Sequence, residues 1–175
     1  DIRKDTLYCD PKKSEKRKSC IQVLEIILES LLSWFAPILS FTTEEIFKLI
    51  NKEKNESIHL KQFAKIPTTW RNEKLNEKWQ TIKKIREVSN ISIESKRSEK
   101  LIGSSLEAQI KIKLKKELYE IAKSYDFAEI CITSGSEISI DHNSNNEIKV
   151  ETFKAEGEKC KVCWKINKEK CERHG

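Results

Sequence analysis

Methionine is absent from this chain, and glycine, proline and histidine are sparse, at four, three and three among 175 residues. Four scattered glycines make no phosphate-cradling loop of the glycine-rich kind. His59 and His142 stand alone in polar surroundings and read as surface residues, so neither offers a base to a nearby nucleophile. No catalytic set emerges, and a free-standing enzyme is disfavoured. Apolar runs never reach the roughly 18–20 residues that a membrane span needs. The opening Asp1-Ile-Arg-Lys4 lacks the charged-then-apolar pattern of a signal peptide and an initiator Met, so the expectation is a piece of a longer protein.

What is abundant is charge. Charged residues make up 35% of the chain and hydrophobic ones 37%, with a net charge of +6. A basic surface favours an acidic partner, and nucleic acid is the common one. The length suits one or two small domains, each with a modest core, rather than one large enzyme domain. Six cysteines are present, three of them within residues 160–171. Crowding of that kind points to a metal site in a reducing, cytoplasmic setting rather than to disulfides.

Asp10-Pro11 reads as a helix start, a capping carboxylate before the residue favoured at the first helical position. Cys20, Leu24, Ile27, Leu31 and Trp34 then recur at helical spacing, widened by Ile21, Leu28, Leu32 and Phe35, as in a helix inside a bundle. Pro37 should end it, and Thr42-Thr-Glu-Glu45 supplies a capping box for a second helix running to about Lys52. A polar connector at 51–57 and an irregular stretch from Ile58 to Trp70 lead to a third helix from about Asn72. Its stripe of Leu75, Trp79, Ile82, Arg86, Ser89 and Ile93 turns polar late, so the second half is expected to project or to meet a partner. Past Gly103, Ala108, Ile110, Ile112 and Leu114 alternate as a strand. Lys115–Tyr125 reads as a helix, Ala128–Thr133 as a strand, and Glu137–Ile140 with Glu147–Lys154 as a hairpin around Asn143–Asn146.

Cys160, Cys163, Cys171 and His174 form C-x2-C-x7-C-x2-H, two chelating pairs separated by a loop. Zinc accepts tetrahedral thiolate and imidazole ligands, and a two-residue spacer lets both members of a pair reach one ion. Four protein ligands leave no position for a substrate water, so one structural zinc is expected. Trp164 follows the first pair, placed either to pack on the knuckle or to stack on an unpaired base. Lys159–His174 carries five Lys and one Arg against two Glu, with Lys161, Lys165 and Arg173 nearest the ligands and suited to phosphate. A second basic cluster, Lys12, Lys13, Lys16, Arg17 and Lys18, is expected in the first two turns of the first helix. Cations there oppose the helix dipole, which hints at an anionic partner. Cys9, Cys20 and Cys131 read as buried structural thiols.

Lys4-Asp-Thr-Leu-Tyr-Cys9 followed by a basic helix, then Ala36-Pro-Ile-Leu-Ser-Phe-Thr-Thr-Glu-Glu-Ile46, resembles the anticodon-binding helical domain of class I aminoacyl-tRNA synthetases for branched aliphatic amino acids. Lys100-Leu-Ile-Gly-Ser-Ser-Leu-Glu-Ala108 and Gly157-Glu-Lys-Cys-Lys-Val-Cys-Trp164 narrow the resemblance to bacterial-type isoleucyl-tRNA synthetases, in their C-terminal region. It implies an intact enzyme that activates isoleucine with ATP and transfers it to the tRNA 3′ end, its catalytic and editing domains lying upstream of Asp1. This piece would then be catalytically silent. The implied partners are isoleucine tRNA, held by its anticodon stem-loop, and the catalytic body of the same enzyme, with no membrane and as a monomer. Cys160, Cys163 and Cys171 fall on the family's zinc ligands and Trp164 on its aromatic. Two departures stand out: His174 replaces the last thiol of a second Cys-x2-Cys pair, and the intervening loop is short.

The expected fold is mainly α: a helical-bundle anticodon-binding domain at 1–99 lacking its N-terminal helices, a small α+β domain at 100–156, and a zinc-binding tail at 157–175. The competing reading is a protein-interaction module with a structural zinc.

Overall fold

The structure, a computed structural model, describes residues 2–52, 56–141 and 147–174. About half of the chain is helical, with a small sheet, and it divides into two compact units, residues 10–71 and residues 1–9 with 72–175.

In the first unit, helix α2 spans Glu15–Phe35 and α3 spans Ser40–Ile50. The preceding helix, α1 (Lys4–Cys9), belongs to the other unit. The expected start at Asp10-Pro11 gives way to Ser14, whose hydroxyl accepts from the Arg17 N–H and caps α2. Pro11 instead opens a turn closed by Ser14 N–H to Pro11 C=O at 2.9 Å. Helix α2 does end just before Pro37, as a missing donor requires. The capping box expected at Thr42–Glu45 does not form. Helix α3 begins earlier, after Leu39, which gives no side-chain cap, and Thr43 Oγ1 donates back to the Leu39 carbonyl. Glu44 instead accepts from Ser57 Oγ at 2.8 Å and Ile58 N–H at 3.0 Å, fastening a 3-10 turn at Ile58–Leu60 onto α3. Leu32, Ala36, Phe47 and Ile58 form this unit's small core.

The second unit is built on α4, Glu73–Ser98, capped by Asn72 Oδ1 accepting from Leu75 N–H at 3.0 Å. Strand β1 (Ala108–Leu114) lies between β2 (Gly135–Ile140), to which it is parallel, and β3 (Ile148–Lys154), to which it is antiparallel. Every second residue of β1, from Ala108 through Ile110 and Ile112 to Leu114, is fully buried. These side chains meet Ile82, Ile85 and Ile93 of α4, with Phe127 and Ile130. Burying an apolar side chain of this size stabilises by about 1.5–3 kcal/mol. The opposite face of β1 is polar, and Lys111 and Lys113 pair with Glu137 and Glu151 on the flanking strands.

Three expectations change here. The late half of α4 meets the sheet: Ser89 and Ile93 are buried there, so α4 joins residues 100–156 rather than the helices before residue 72. Ala128–Thr133 is not a strand. Asp126 caps the short helix α6 (Phe127–Ile130) by accepting from Ala128 and Glu129 N–H, and the helix closes with Ile132 at φ 58°. Nor are β2 and β3 a hairpin, since each pairs with β1 and not with the other. With α5 (Lys116–Ala122) and α6 between them, β1 and β2 form a crossover unit. The turn expected at Asn143–Asn146, and His142, fall outside the described residues.

Ala155 N–H donates to the Glu107 carbonyl at 2.7 Å, and Ile166 N–H to the Ser134 hydroxyl at 2.7 Å. These bonds moor a two-stranded ribbon, β4 (Glu158–Lys159) against antiparallel β5 (Ile166–Asn167), to the unit.

Candidate metal centre and nucleic-acid interface

Ribbon β4–β5 carries the first chelating pair in its turn. Cys160 N–H donates to the Lys165 carbonyl at 2.9 Å and Trp164 N–H to the Cys160 carbonyl at 3.0 Å, which folds residues 160–165 into a knuckle. Trp164 closes it in the left-handed region at φ 63°. The second pair sits in a turn closed by His174 N–H to the Cys171 carbonyl at 3.1 Å.

The four expected ligands come together, their ligand atoms all within 4.8 Å of one another. Cys163 and Cys171 sulfurs are 3.8 Å apart, and His174 Nδ1 lies 3.6 Å from Cys160 Sγ and 3.4 Å from Cys171 Sγ. A tetrahedral ion with metal–sulfur bonds of about 2.3 Å and metal–nitrogen bonds of about 2.0–2.1 Å has S···S edges near 3.8 Å and S···N edges near 3.5 Å. These three edges and the chemistry of the donors suit a metal such as zinc. His174 Nε2 lies 2.9 Å from the Cys9 carbonyl. A carbonyl only accepts, so the ring proton sits on Nε2 and the Nδ1 lone pair faces the sulfurs.

The peptide N–H groups of Cys163 and Val162, turned toward the Cys160 sulfur, lower its thiol to about 6. Burial raises the Cys163 thiol. Outside the cluster only Cys131 is buried, and burial pushes its thiol up to about 11; Cys9 and Cys20 are half-buried, against the expectation that all three are buried.

Trp164 is 60% exposed, with Lys159 Nζ 5.7 Å from its ring centre, so it stands outward rather than packing on the knuckle. Lys161 is exposed and Lys165 half-buried. Arg173 is exposed and pairs with Asp5: its Nη2 reaches both carboxylate oxygens, at 2.7 and 3.0 Å. A cavity of about 470 Å³ opens between α1, α6 and the knuckle, bordered by Tyr8, Ile132, Val162 and Trp164.

In the other unit, Lys12, Lys13 and Lys16 are exposed and Arg17 is half-buried. Lys12 and Lys13 precede α2, so the expected opposition to its dipole applies only to Lys16, Arg17 and Lys18, and Lys18 pairs with Glu15 at 2.7 Å. The Arg17 Nε atom is buried with no hydrogen-bond partner among the described residues. No described helix is long and apolar enough to cross a membrane.

Sequence comparison assigns the class. Residues 1–112 match the family described as the anticodon-binding domain of tRNA ligase, and the chain belongs to that family. The relatives are more particular. The chain is 64% identical over 175 residues to the isoleucine–tRNA ligase of Pelagibacter ubique (strain HTCC1062), covering 99% of this chain and 19% of the ligase. It is 42% identical over 175 residues to the isoleucine–tRNA ligase of Agrobacterium fabrum (strain C58 / ATCC 33970), covering 95% of this chain and 18% of that protein. The chain thus spans under one fifth of the curated relatives it matches.

Proposed function

We propose that this chain is the tRNA-binding, zinc-bearing C-terminal part of a cytoplasmic, monomeric isoleucine–tRNA ligase. It holds the anticodon stem-loop while the catalytic body of the same enzyme, using ATP, attaches isoleucine at the tRNA 3′ end. The observation that carries this reading is likeness to isoleucine–tRNA ligases along almost the whole chain, combined with the anticodon-binding family match. This part is non-catalytic, the catalytic domains belonging to the rest of the enzyme, and its Cys3His set supplies four ligands to one structural zinc with no open coordination position. Trp164 stacks on an unpaired base beside Lys161 and Lys165, and Lys12, Lys13, Lys16 and Arg17 contact phosphates. Arg173, paired with Asp5 yet exposed, contacts phosphate as well.

Filter binding of the chain to isoleucine tRNA transcripts tests this reading. Binding should weaken when the anticodon is changed and fall steeply with salt, with log K linear in log salt concentration. Equal affinity for an anticodon-changed transcript would overturn anticodon recognition.

One observation favours a second reading, a protein-interaction module. Leu24, Ile27, Leu31 and Trp34 on α2 are each more than 40% exposed, and Phe41 on α3 is 92% exposed. Such a flank is larger than a lone helical pair covers, and it suits docking onto the enzyme's own body. Association with the catalytic body supplied as a separate chain, insensitive to nuclease, would support it.

A further inference from the structure

Helix α1 is six residues long, far short of the roughly 12–15 that an isolated helix needs in water. Apolar burial does not hold it either: Thr6 is its single buried residue and Tyr8 is 77% exposed. Its order rests on polar ties. Arg3 Nη1 meets Glu129 Oε1 at 2.7 Å, and Thr6 Oγ1 donates to the same oxygen at 3.3 Å. The other ties run to the cysteine-rich tail. His174 Nε2 donates to the Cys9 carbonyl at 2.9 Å, Arg173 Nη2 binds both Asp5 oxygens, and Cys9 Sγ lies 3.7 Å from the Val162 carbonyl.

The tail cannot order itself either. Its strands are two residues long, and Cys163 is its single buried hydrophobic residue. Small elements of this kind gain their folding free energy from a bound metal. The turn Cys171–His174 therefore connects a metal ligand to two anchors on α1, residues about 165 positions away in sequence.

We propose that metal binding at the Cys3His cluster latches α1 to the tail, with the Cys9 carbonyl orienting His174 from outside the coordination sphere and Asp5 acting as a positioning residue through Arg173. This rests on the zinc reading above. The coupling is reciprocal by linkage: whatever factor the metal adds to the order of α1, an ordered α1 adds to metal affinity. Outer-shell partners of metal-bound histidines typically change metal affinity by about 10–100-fold. Asp5 acts one residue removed, so the low end applies.

The test uses the 175-residue chain, zinc and a competing chromophoric chelator. Asp5→Asn and Arg173→Gln should each lower zinc affinity by about 10-fold. The double variant should be no weaker than either single one, since both break the same pair. Asp5→Glu, which keeps the charge, should recover most of the affinity. Amide exchange read by mass spectrometry should show residues 4–9 losing protection when zinc is stripped, while 108–114 in the central strand stay protected. Those strand amides also report whether each variant folds. Zinc bound by Asp5→Asn as tightly as by the unaltered chain would overturn the latch and leave the zinc reading standing, as would unchanged exchange at 4–9 on chelation. An unaltered chain that takes up no zinc would overturn both.

Discussion

A β-carbon at Gly157 would fall 2.1 Å from the carbonyl oxygen of Asn167, and the Gly157 backbone sits at φ +126°. Only glycine meets both conditions, and both arise where the chain enters β4 opposite the end of β5. Gly157→Ala should push the ribbon apart and spread the two chelating pairs. The expected outcome is zinc uptake weakened at least about 10-fold in a chelator competition, with the central sheet unchanged in amide exchange.

Metal content follows from the ligand geometry. The chain should carry one zinc per molecule by elemental analysis, and Cys163→Ser should lose it, because Cys163 is the most enclosed of the four ligands. A natively purified chain without zinc contradicts this.

Trp164 stands outward while its backbone closes the knuckle, so its side chain can be changed with little effect on the metal. Base stacking on an aromatic ring is worth about 1–3 kcal/mol. Trp164→Phe should therefore bind an isoleucine tRNA transcript only slightly less well. Trp164→Ala should bind it about 5- to 150-fold more weakly, with zinc content unchanged.

Glu44 gives the helical unit an acid sensitivity. The Lys48 ammonium and the Ser57 hydroxyl hold its carboxyl down at about 2, from an ordinary 4.5. A folded value below the unfolded one adds stability that is complete above about pH 4.5 and is lost as pH falls toward about 2. Glu44→Gln should lower the thermal midpoint of residues 10–71 at pH 7, and the gap from the unaltered chain should close as the pH is taken from 5 to 2. Melting followed by Trp fluorescence across that range checks it.

The sheet unit offers a pair of opposite expectations. Ile112 is fully buried against α4, so Ile112→Ala should cost about 2–5 kcal/mol in denaturant unfolding. Ile132 holds a β-branched side chain at φ 58°, where a non-glycine residue is strained by roughly 1–2 kcal/mol. Ile132→Gly should stabilise by up to about 1 kcal/mol, after the unfolded-state entropy of glycine is deducted.

Strand β1 and helix α4 were legible in the sequence because their signals are local. Alternation from Ala108 to Leu114 marks a strand with one buried face, and Asn72 is a cap wherever α4 packs. Residues 128–133 misled because apolar and β-branched residues suit a strand, while the Asp126 cap that makes Phe127–Ile130 helical competes over two or three residues only. Strand pairing misled for another reason. Glu137–Ile140 and Ile148–Lys154 are neighbours in sequence, so a hairpin is the default, yet both pair with β1, whose alternate residues from Ala108 to Leu114 are fully buried.

The tail divides along the same line. Spacing alone picked out Cys160, Cys163, Cys171 and His174 as candidate ligands, and the structure brings them together, since two-residue chelating loops impose their geometry locally. Sequence also carried the family resemblance, which the anticodon-binding match and the isoleucine–tRNA ligase relatives bear out. Only the tertiary structure placed Cys9 and Asp5 beside that cluster and paired Arg173 with Asp5. No local pattern encodes a contact across some 165 residues; the fold of the intervening sheet unit creates it by bringing the ends of its chain together.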